Sequence, residues 1–387
     1  MVSLQDYAGR EQSYVKHVFL ESYLKRLVQK AASTYPEIVY VDGFAGPWQS
    51  ANERFEDTSF GIALSALRAA KQSWRERGRD VRMSATLVER DRVAYQRLGG
   101  IPDAYPDIAI RTYNDDFLHV LPTILREIPR DAFTFFLIDP KAWRIRLRAL
   151  EALLARRPSE VVFNFMFDFI NRAASIRDPA VAAGLDELIP FGGWRGKLEE
   201  LERSGRSTPD NRKAILVEAF GESLKQLGSY NYVAETTVLR PLQDLPLYCL
   251  FYATRHPRGI EVFRDSQIAA LQEESATRAT TKVQREATGS GQGEFFDSLH
   301  DMAPDKLVSF LEEQRSRAEE TLLELAPSSP HFLKYENLRA QVLARHVVRV
   351  PDANKIAARL FREKRLTFPD WEKGRQVPQP AYRVQRT

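Results

Sequence analysis

The sequence feature that most constrains the fold is the stretch IVYVDGFAGPW at residues 38–48. It begins as an apolar run rich in Val, ends at Asp42 and then turns sharply through GFAGP. An apolar run closed by a glycine turn predicts a buried parallel strand followed by a tight loop. No Lys-Ser or Lys-Thr pair follows the glycines, which excludes a phosphate P-loop. Open α/β sheets bind ligands at the carboxyl ends of their strands, so this loop is the first candidate binding site.

Further apolar runs predict the other strands of an α/β sheet. The fourth run, AFTFFLID, is a near-continuous aromatic and aliphatic segment, which is typical of a central strand covered on both faces. Two extended segments joined by RPLQDLP predict a hairpin-like pair that closes the sheet. The predicted strands lie at residues 38–42, 83–88, 108–112, 132–139, 160–165, 232–239 and 247–254. With the helical segments between them, they predict a Rossmann-like α/β domain.

Polar residues follow the second and third predicted strands. Glu89 ends the second strand, where a carboxylate can accept hydrogen bonds from two ribose hydroxyls. The alternative for Glu89 is a solvated strand end. Asn114, Asp115 and Asp116 follow the third strand, and one of them could contact the edge of an adenine ring. The alternative is that they cap the next helix, at residues 117–127, because Asp and Asn are favoured N-caps.

The loop after the first strand and the Asp139-Pro140 pair after the fourth resemble two motifs of methyltransferases that bind S-adenosylmethionine (SAM). The predicted hairpin also resembles the end of their sheet, in which the last of seven strands is antiparallel. The resemblance implies that Asp139 orients an amine for methylation, with Trp143 stacking on the acceptor base. The alternative for Asp139-Pro140 is a strand terminator with a helix cap. Asn164, within the fifth strand, could support this loop or could simply bond neighbouring backbone.

Composition narrows the class of protein. The chain has 387 residues, of which 43% are hydrophobic and 28% are charged, as in globular proteins. It shows neither the ~20-residue apolar run of a membrane span nor a signal-peptide pattern, which predicts a cytoplasmic protein. The lone cysteine, Cys249, excludes an internal disulfide framework or a Cys-rich metal site. A net charge of +4 permits a nucleic-acid partner without requiring one.

The chain divides into three predicted parts. Residues 1–265 form the Rossmann-like domain, with a helical insertion at about 178–228. Residues 266–330 form a linker and a helical segment, with a polar, flexible stretch from Gln272 to Gly293.

The final part, residues 331–387, matches a winged helix, with a helix, a short strand at 347–350, a second helix and a basic hairpin. From Pro351 onward it holds nine Lys/Arg against four Asp/Glu, which favours nucleic acid as its partner. The candidate contacts are Lys355, Arg359 and Arg362 on one helical side and Lys373 and Arg375 at the wing tip. The alternative is a winged helix that binds protein.

The order of KHVFLESYL, YVDGFAGPW, LVERD, FFLIDP, EVVFNFMFDFINR and LYCLFYATRHPRG resembles the three-Cys-motif partner protein (TcmP) family. The resemblance covers most of the chain and implies a SAM-dependent methyltransferase-like domain, a winged helix and a separate three-Cys-motif protein as partner. A more distant similarity runs to the J-type adenine-N6 methyltransferase of large-subunit ribosomal RNA. It implies cofactor-proximal positions for Lys16, His17, Asp42, Phe44, Ala45 and Gly46.

Two functions stay open from the sequence. The first is a SAM-dependent methyltransferase that acts on an amino group of a nucleic-acid base. The second is a catalytically inactive binding module that keeps the methyltransferase fold. The second is motivated by the sequence after Asp139, because DPKAW stands where the N6-adenine enzymes carry Asp-Pro-Pro-Tyr. Trp48 also stands where a small residue is expected in the cofactor loop.

Overall fold

The computed structural model describes residues 11–46, 50, 55, 57–140, 145–176, 178–240, 243–288 and 304–387. The chain forms two compact units. The first comprises Met1–Arg240 with Asp244–Arg255, and the second comprises Pro241–Gln243 with His256–Thr387.

Seven strands form the sheet of the first unit. They are β1 (Glu37–Asp42), β2 (Arg82–Val88), β3 (Ala109–Tyr113), β4 (Phe133–Ile138), β5 (Ser159–Phe165), β6 (Tyr232–Arg240) and β7 (Gln243–Thr254). Their order across the sheet is β3-β2-β1-β4-β5-β7-β6. Strands β1 to β5 pair in parallel, whereas β7 runs antiparallel to β5. The prediction of an α/β fold with a seven-stranded, Rossmann-like sheet and an antiparallel last strand is confirmed.

Helices connect the strands of the first unit. They are α1 (Glu11–Ala32), α2 (Ser59–Glu76), α3 (Arg92–Gln96), α4 (Ile101–Ala104), α5 (Phe117–Glu127), a 3₁₀ helix (Leu147–Leu150), α6 (Glu151–Ala155), α7 (Phe167–Ala173), α8 (Pro179–Leu188), α9 (Trp194–Arg203) and α10 (Pro209–Gly228). No helix among the described residues is long and apolar enough to span a membrane.

The central strands are buried because helices cover both faces of the sheet. Every residue of β1 and β4 is buried, as expected for parallel strands between two helical layers. On one face, Val41 and Phe136 belong to the same apolar core as Phe220 of α10. On the other face, the ring of Phe135 lies 5.9 Å from that of Tyr23 on α1. Because β1 to β5 are parallel, their carboxyl ends meet at one edge of the sheet, where the predicted site residues lie.

The described residues of the second unit form four further helices and a small sheet. The helices are α11 (Pro257–Thr288), α12 (Pro304–Leu325), α13 (Tyr335–Arg345) and α14 (Val350–Arg362). The predicted flexible stretch from Gln272 is wrong as far as Thr288, because α11 continues through it. The stretch is polar but contains no Gly or Pro before Gly289, and residues such as Glu, Gln, Ala and Arg favour a helix.

The strands of the small sheet are β8 (Leu333–Lys334), β9 (Leu366–Thr367) and β10 (Arg383–Arg386). Their order across the sheet is β8-β10-β9. Both pairings are antiparallel. The two predicted helices of residues 331–387 are present as α13 and α14. The predicted extended segment at 347–350 is not a strand, and the strand Leu333–Lys334 before α13 pairs with β10 instead. The winged-helix assignment and the predicted domain boundaries stay predictions.

Candidate cofactor and active site

The loop after β1 is shaped by Asp42, whose side chain is completely buried. One carboxylate oxygen accepts a hydrogen bond from the Phe44 backbone N–H at 3.0 Å. The other accepts from the hydroxyls of Tyr40 at 3.0 Å and Ser59 at 2.9 Å. Burial raises the pKa of Asp42 to about 6, and the three donors offset only part of that rise. These contacts fix the turn after β1, and the predicted contact of Asp42 with a cofactor stays a prediction.

Backbone contacts hold the same loop between neighbouring strands. The Gly43 N–H donates to the carbonyl of Leu137 at 3.2 Å, and the Ala45 N–H donates to the carbonyl of Val88 at 2.8 Å. A Cβ at Gly43 would lie 3.0 Å from the ring of Phe117, so a side chain there would push against the ring and glycine is favoured. Gly43 therefore serves the packing of the loop.

A cleft of about 500 Å³ opens at the carboxyl ends of the first four strands. Its lining includes Gly43 and Phe44 after β1, Glu89 after β2, Asp115 after β3 and Pro140 after β4. Four separate predictions thus meet at one cavity. Of the other predicted cofactor residues, Lys16, His17, Asp42, Ala45 and Gly46 do not line it. His17 and Ala45 are buried.

Glu89 has the geometry of a hydrogen-bond acceptor facing the cleft. Its side chain is only 5% exposed, and Oε1 accepts from the Asp91 backbone N–H at 2.6 Å. Among the residues that the structure describes, Oε2 has no hydrogen-bond partner. The predicted solvated strand end does not match this burial, whereas an acceptor for neutral hydroxyl donors does.

The three polar residues after β3 have three different roles. Asp116 is the N-cap of α5 and accepts from the Leu118 N–H at 3.0 Å. The Asn114 side chain donates to the carbonyls of Glu89 and Arg90, tying the tips of β2 and β3 together. Asp115 lines the cleft, and its hydrogen bonds from His119 and the Asp116 N–H lower its pKa. The capping alternative is therefore confirmed for Asp116, whereas the contact of Asp115 with an adenine edge stays a prediction.

Asp139 is the centre of a polar cluster beside the cleft. The Lys16 Nζ lies 2.6 Å from its Oδ2, and the Asn164 Nδ2 donates to its Oδ1 at 2.6 Å. The Lys16 and Asp139 side chains are 14% and 16% exposed. Pro140, the next residue, lines the cleft. Lys16 thus contacts the predicted catalytic residue Asp139, and its predicted contact with a cofactor stays a prediction.

The strand register explains why Asn164 reaches Asp139. Ile138 of β4 pairs with Phe163 of β5, so the next residues of the two strands, Asp139 and Asn164, lie side by side on one face. Sequence reasoning considered Asn164 only as a supporting residue, and its signal was an amide inside an apolar strand. Trp143, Lys141 and Trp48 lie outside the described residues.

The predicted nucleic-acid residues occupy the second unit. Lys355 and Lys373 are exposed, with no ionic partner among the described residues. Arg359 forms an ion pair with Glu319 of α12. Arg375 lies 3.0 Å from Glu372, and the Arg362 Nε donates to the Ala358 carbonyl at 3.1 Å. The basic surface is therefore partly neutralised within the unit, most clearly at Arg359.

No family model matches the chain, and no curated protein matches it. One solved structure that resembles it is a Legionella pneumophila protein of the family DUF519. It has 13% identity and a TM-score of 0.38, over 63% of this chain and 88% of that one. Another is a loganic acid methyltransferase with S-adenosylhomocysteine (SAH), with 11% identity and a TM-score of 0.30, over 79% of this chain and 91% of that one. Likeness at this level decides nothing about the reaction, and membership of the TcmP family stays a prediction.

Proposed function

We propose that the first unit binds SAM in the cleft and transfers its methyl group to an amino group of a nucleic-acid base. The observation that carries the proposal is the placement of Asp139 and Pro140. Pro140 lines the cleft, while Asp139 is held beside it by Lys16 and Asn164. An acceptor carboxylate thus lies next to a cavity of cofactor size, at the sheet edge where α/β proteins bind ligands.

The residues of the cleft fit SAM as a ligand. The available Oε2 of Glu89 suits a ribose hydroxyl, because a carboxylate forms strong hydrogen bonds with neutral donors. Gly43, Phe44 and Pro140 offer apolar and backbone surface for the rest of the molecule. Asp115 lies where an adenine edge would be reached from the end of β3.

The chain's contribution to the reaction is positioning. When bound, SAM supplies a methyl group already activated by its sulfonium. Asp139 accepts a hydrogen bond from the substrate amine and thereby orients the nitrogen lone pair toward that methyl group. Asn164 and Lys16 fix the carboxylate, and Lys16 balances its charge in a site with little access to water.

The macromolecular part of the proposal rests on other grounds. A nucleic-acid acceptor is supported by the sequence resemblance and by the exposed, ionically unpaired Lys355 and Lys373. A separate three-Cys-motif protein as partner and a cytoplasmic location are supported by the sequence alone.

Two measurements test this function. Isothermal titration with SAH should show one site per chain, and Glu89→Gln should weaken binding by about 10-fold, because an amide is a weaker acceptor than a carboxylate. Incubation with tritium-labelled SAM should label cellular RNA or DNA, and Asp139→Ala should abolish the label while SAH still binds. Absence of SAH binding by the wild-type chain would contradict the proposal, and labelling of protein alone would change its substrate class.

A second function is favoured by one observation. Lys16 and Asn164 occupy both oxygens of Asp139, and an inactive binding module would keep such a closed cluster for stability. This function predicts nucleic-acid binding that survives Asp139→Ala and no transfer of label from SAM.

A further inference from the structure

Helix α7 exposes an aromatic side chain beside the site. Phe169 is 46% exposed, although Phe167 and Ile170 of the same helix are buried in the core. Ile176, seven residues further on and just past the helix end, is also exposed. Ile176 lies beyond the last helical residue, Ala173, so Phe169 is the large apolar side chain that α7 itself exposes.

Arg172 lies over this exposed ring. Its guanidinium carbon is 4.9 Å from the centroid of the Phe169 ring. The guanidinium is held there by Asp168, through an Nη2–Oδ2 ion pair of 2.7 Å and a hydrogen bond from Nε to the Asp168 carbonyl at 3.3 Å. The Arg172 side chain is nevertheless 60% exposed. We call Phe169 and Arg172 the α7 platform, because a flat ring and a flat cation are fixed against each other at the surface.

The α7 platform is connected to the Asp139 cluster by a short piece of chain. Asn164, at the end of β5, donates to Asp139, and Phe169 follows five residues later. Five residues span at most about 17 Å. The first turn of α7 begins directly after Met166, whose sulfur lies 3.6 Å from the Asn164 amide nitrogen. A strand with one base at Asp139 would therefore have a neighbouring base within reach of the platform.

We propose that the α7 platform stacks a base of a single-stranded nucleic acid, next to the base presented to Asp139. This inference rests on the proposed function, because it names the form of nucleic acid that the site accepts. Single-stranded bases stack on Phe rings and on guanidinium planes, and the platform offers both. An apolar protein surface docked there would bury the Arg172–Asp168 ion pair away from water at a cost, whereas a stacked base leaves its edges solvated.

The test compares base-bearing and abasic strands on variants of the full chain. Fluorescence anisotropy measures binding of a labelled 12-nucleotide poly-A strand, as RNA and as DNA, and of its fully abasic twin. Phe169→Ala should weaken binding of the base-bearing strand by about 5- to 150-fold and leave the abasic strand unchanged. Phe169→Leu, which keeps apolar area without a π face, should lose nearly as much, and Phe169→Trp should retain affinity.

Three results would overturn the inference. These are equal binding of base-bearing and abasic strands by the wild-type chain, unchanged binding in Phe169→Ala, or wild-type affinity in Phe169→Leu. SAH titration of the same proteins separates this inference from the proposed function. SAH should bind every variant equally, and a wild-type chain that fails to bind SAH contradicts the cofactor proposal while the comparison of strands still reports on the platform.

Discussion

Asp139 and Glu160 are carboxylates on neighbouring strands, but they lie at opposite ends of those strands. Side chains of helix α1 contact both. Asp139 follows β4 at the carboxyl edge and faces the cation of Lys16. Glu160 is near the start of β5, at the other edge, and accepts from the hydroxyls of Tyr23 at 2.9 Å and Thr254 at 3.0 Å. Glu160 is buried, and burial raises its pKa.

The difference between the two shows how one helix can support two kinds of acidic group. A partly accessible carboxylate beside a cation can be reached by a substrate group. A buried carboxylate with only neutral donors is suited to hold elements together, and it favours the protonated form. From this comparison we expect Asp139 to serve the proposed reaction and Glu160 to serve stability, and four experiments test that expectation.

The largest effect is expected on methyl transfer. Asp139→Ala should lower kcat/KM by about 10³-fold, because the amine loses its orienting acceptor. Glu160→Gln should keep activity within about 3-fold of wild type, since it lies at the opposite end of the strands, and its amide oxygen can accept from one hydroxyl while its NH2 group donates to the other. Steady-state kinetics with labelled SAM measures both variants. An equal loss in both would erase the distinction between the two carboxylates.

The next effect is expected on stability. Glu160→Ala should lower the free energy of unfolding by about 4 kcal/mol, since it leaves a cavity and removes the hydrogen bonds from two buried hydroxyls. Urea denaturation at pH 7 gives the value, and Glu160→Gln is the matched control. Because the folded pKa is raised, Glu160 stabilises most at low pH, and this contribution is lost as pH rises through the folded pKa. The free energy of unfolding of Glu160→Gln should therefore be most favourable, relative to that of the wild type, at high pH. An unchanged free energy of unfolding in Glu160→Ala would contradict a structural role for Glu160.

Asp42 provides a third carboxylate, buried like Glu160 but near the cleft. Its pKa is raised from 3.8 to about 6 in the folded chain. The folded state thus binds more protons between these values, and stability should fall by about 2 kcal/mol as the pH rises from about 4 to 6. Asp42→Asn should flatten this part of the profile, which urea titrations at several pH values would measure. Parallel profiles for the two proteins would show that another group causes the slope.

The smallest effect is expected from the cation. Lys16→Met keeps the aliphatic length but removes the charge, and it should cost about 1–2 kcal/mol of stability, between the values for exposed and buried ion pairs. Lys16→Arg should restore most of the loss. Calorimetry of the three proteins at one pH measures the change. A stabilised Lys16→Met would mean that the pair is retained for function at the expense of stability.

The sequence predicted the sheet well because strands buried on both faces leave unbroken apolar runs. The runs AFTFFLID and EVVFNF indicate strands for that reason. Their polar residues Asp139 and Asn164 lie at or next to the carboxyl ends of the runs. Glu89, Asp115 and Pro140 could therefore be placed at the site from their positions alone. The same reasoning identified the glycine loop. It did not predict that the Asp42 carboxylate would accept three hydrogen bonds from neighbouring protein groups.

The missing part is long-range pairing. Lys16 and Asp139 are 123 residues apart, and no local pattern reveals that they meet. The pairing of Arg359 with Glu319 is of the same kind and changes how much of the basic surface remains free. Phe169 was also missed, because its helical spacing resembles that of its buried neighbours Phe167 and Ile170. Only the packed structure shows which of the three faces solvent.

The continuity of α1 has a mechanical consequence. Lys16 and Tyr23 are seven residues apart on one rigid helix, and each ends on a different carboxylate. Because the residues between them are continuously helical, the distance between these two anchoring points along the helix is fixed at about 10 Å, seven rises of about 1.5 Å. The packing that places Tyr23 at Glu160 therefore also helps to place Lys16 at Asp139.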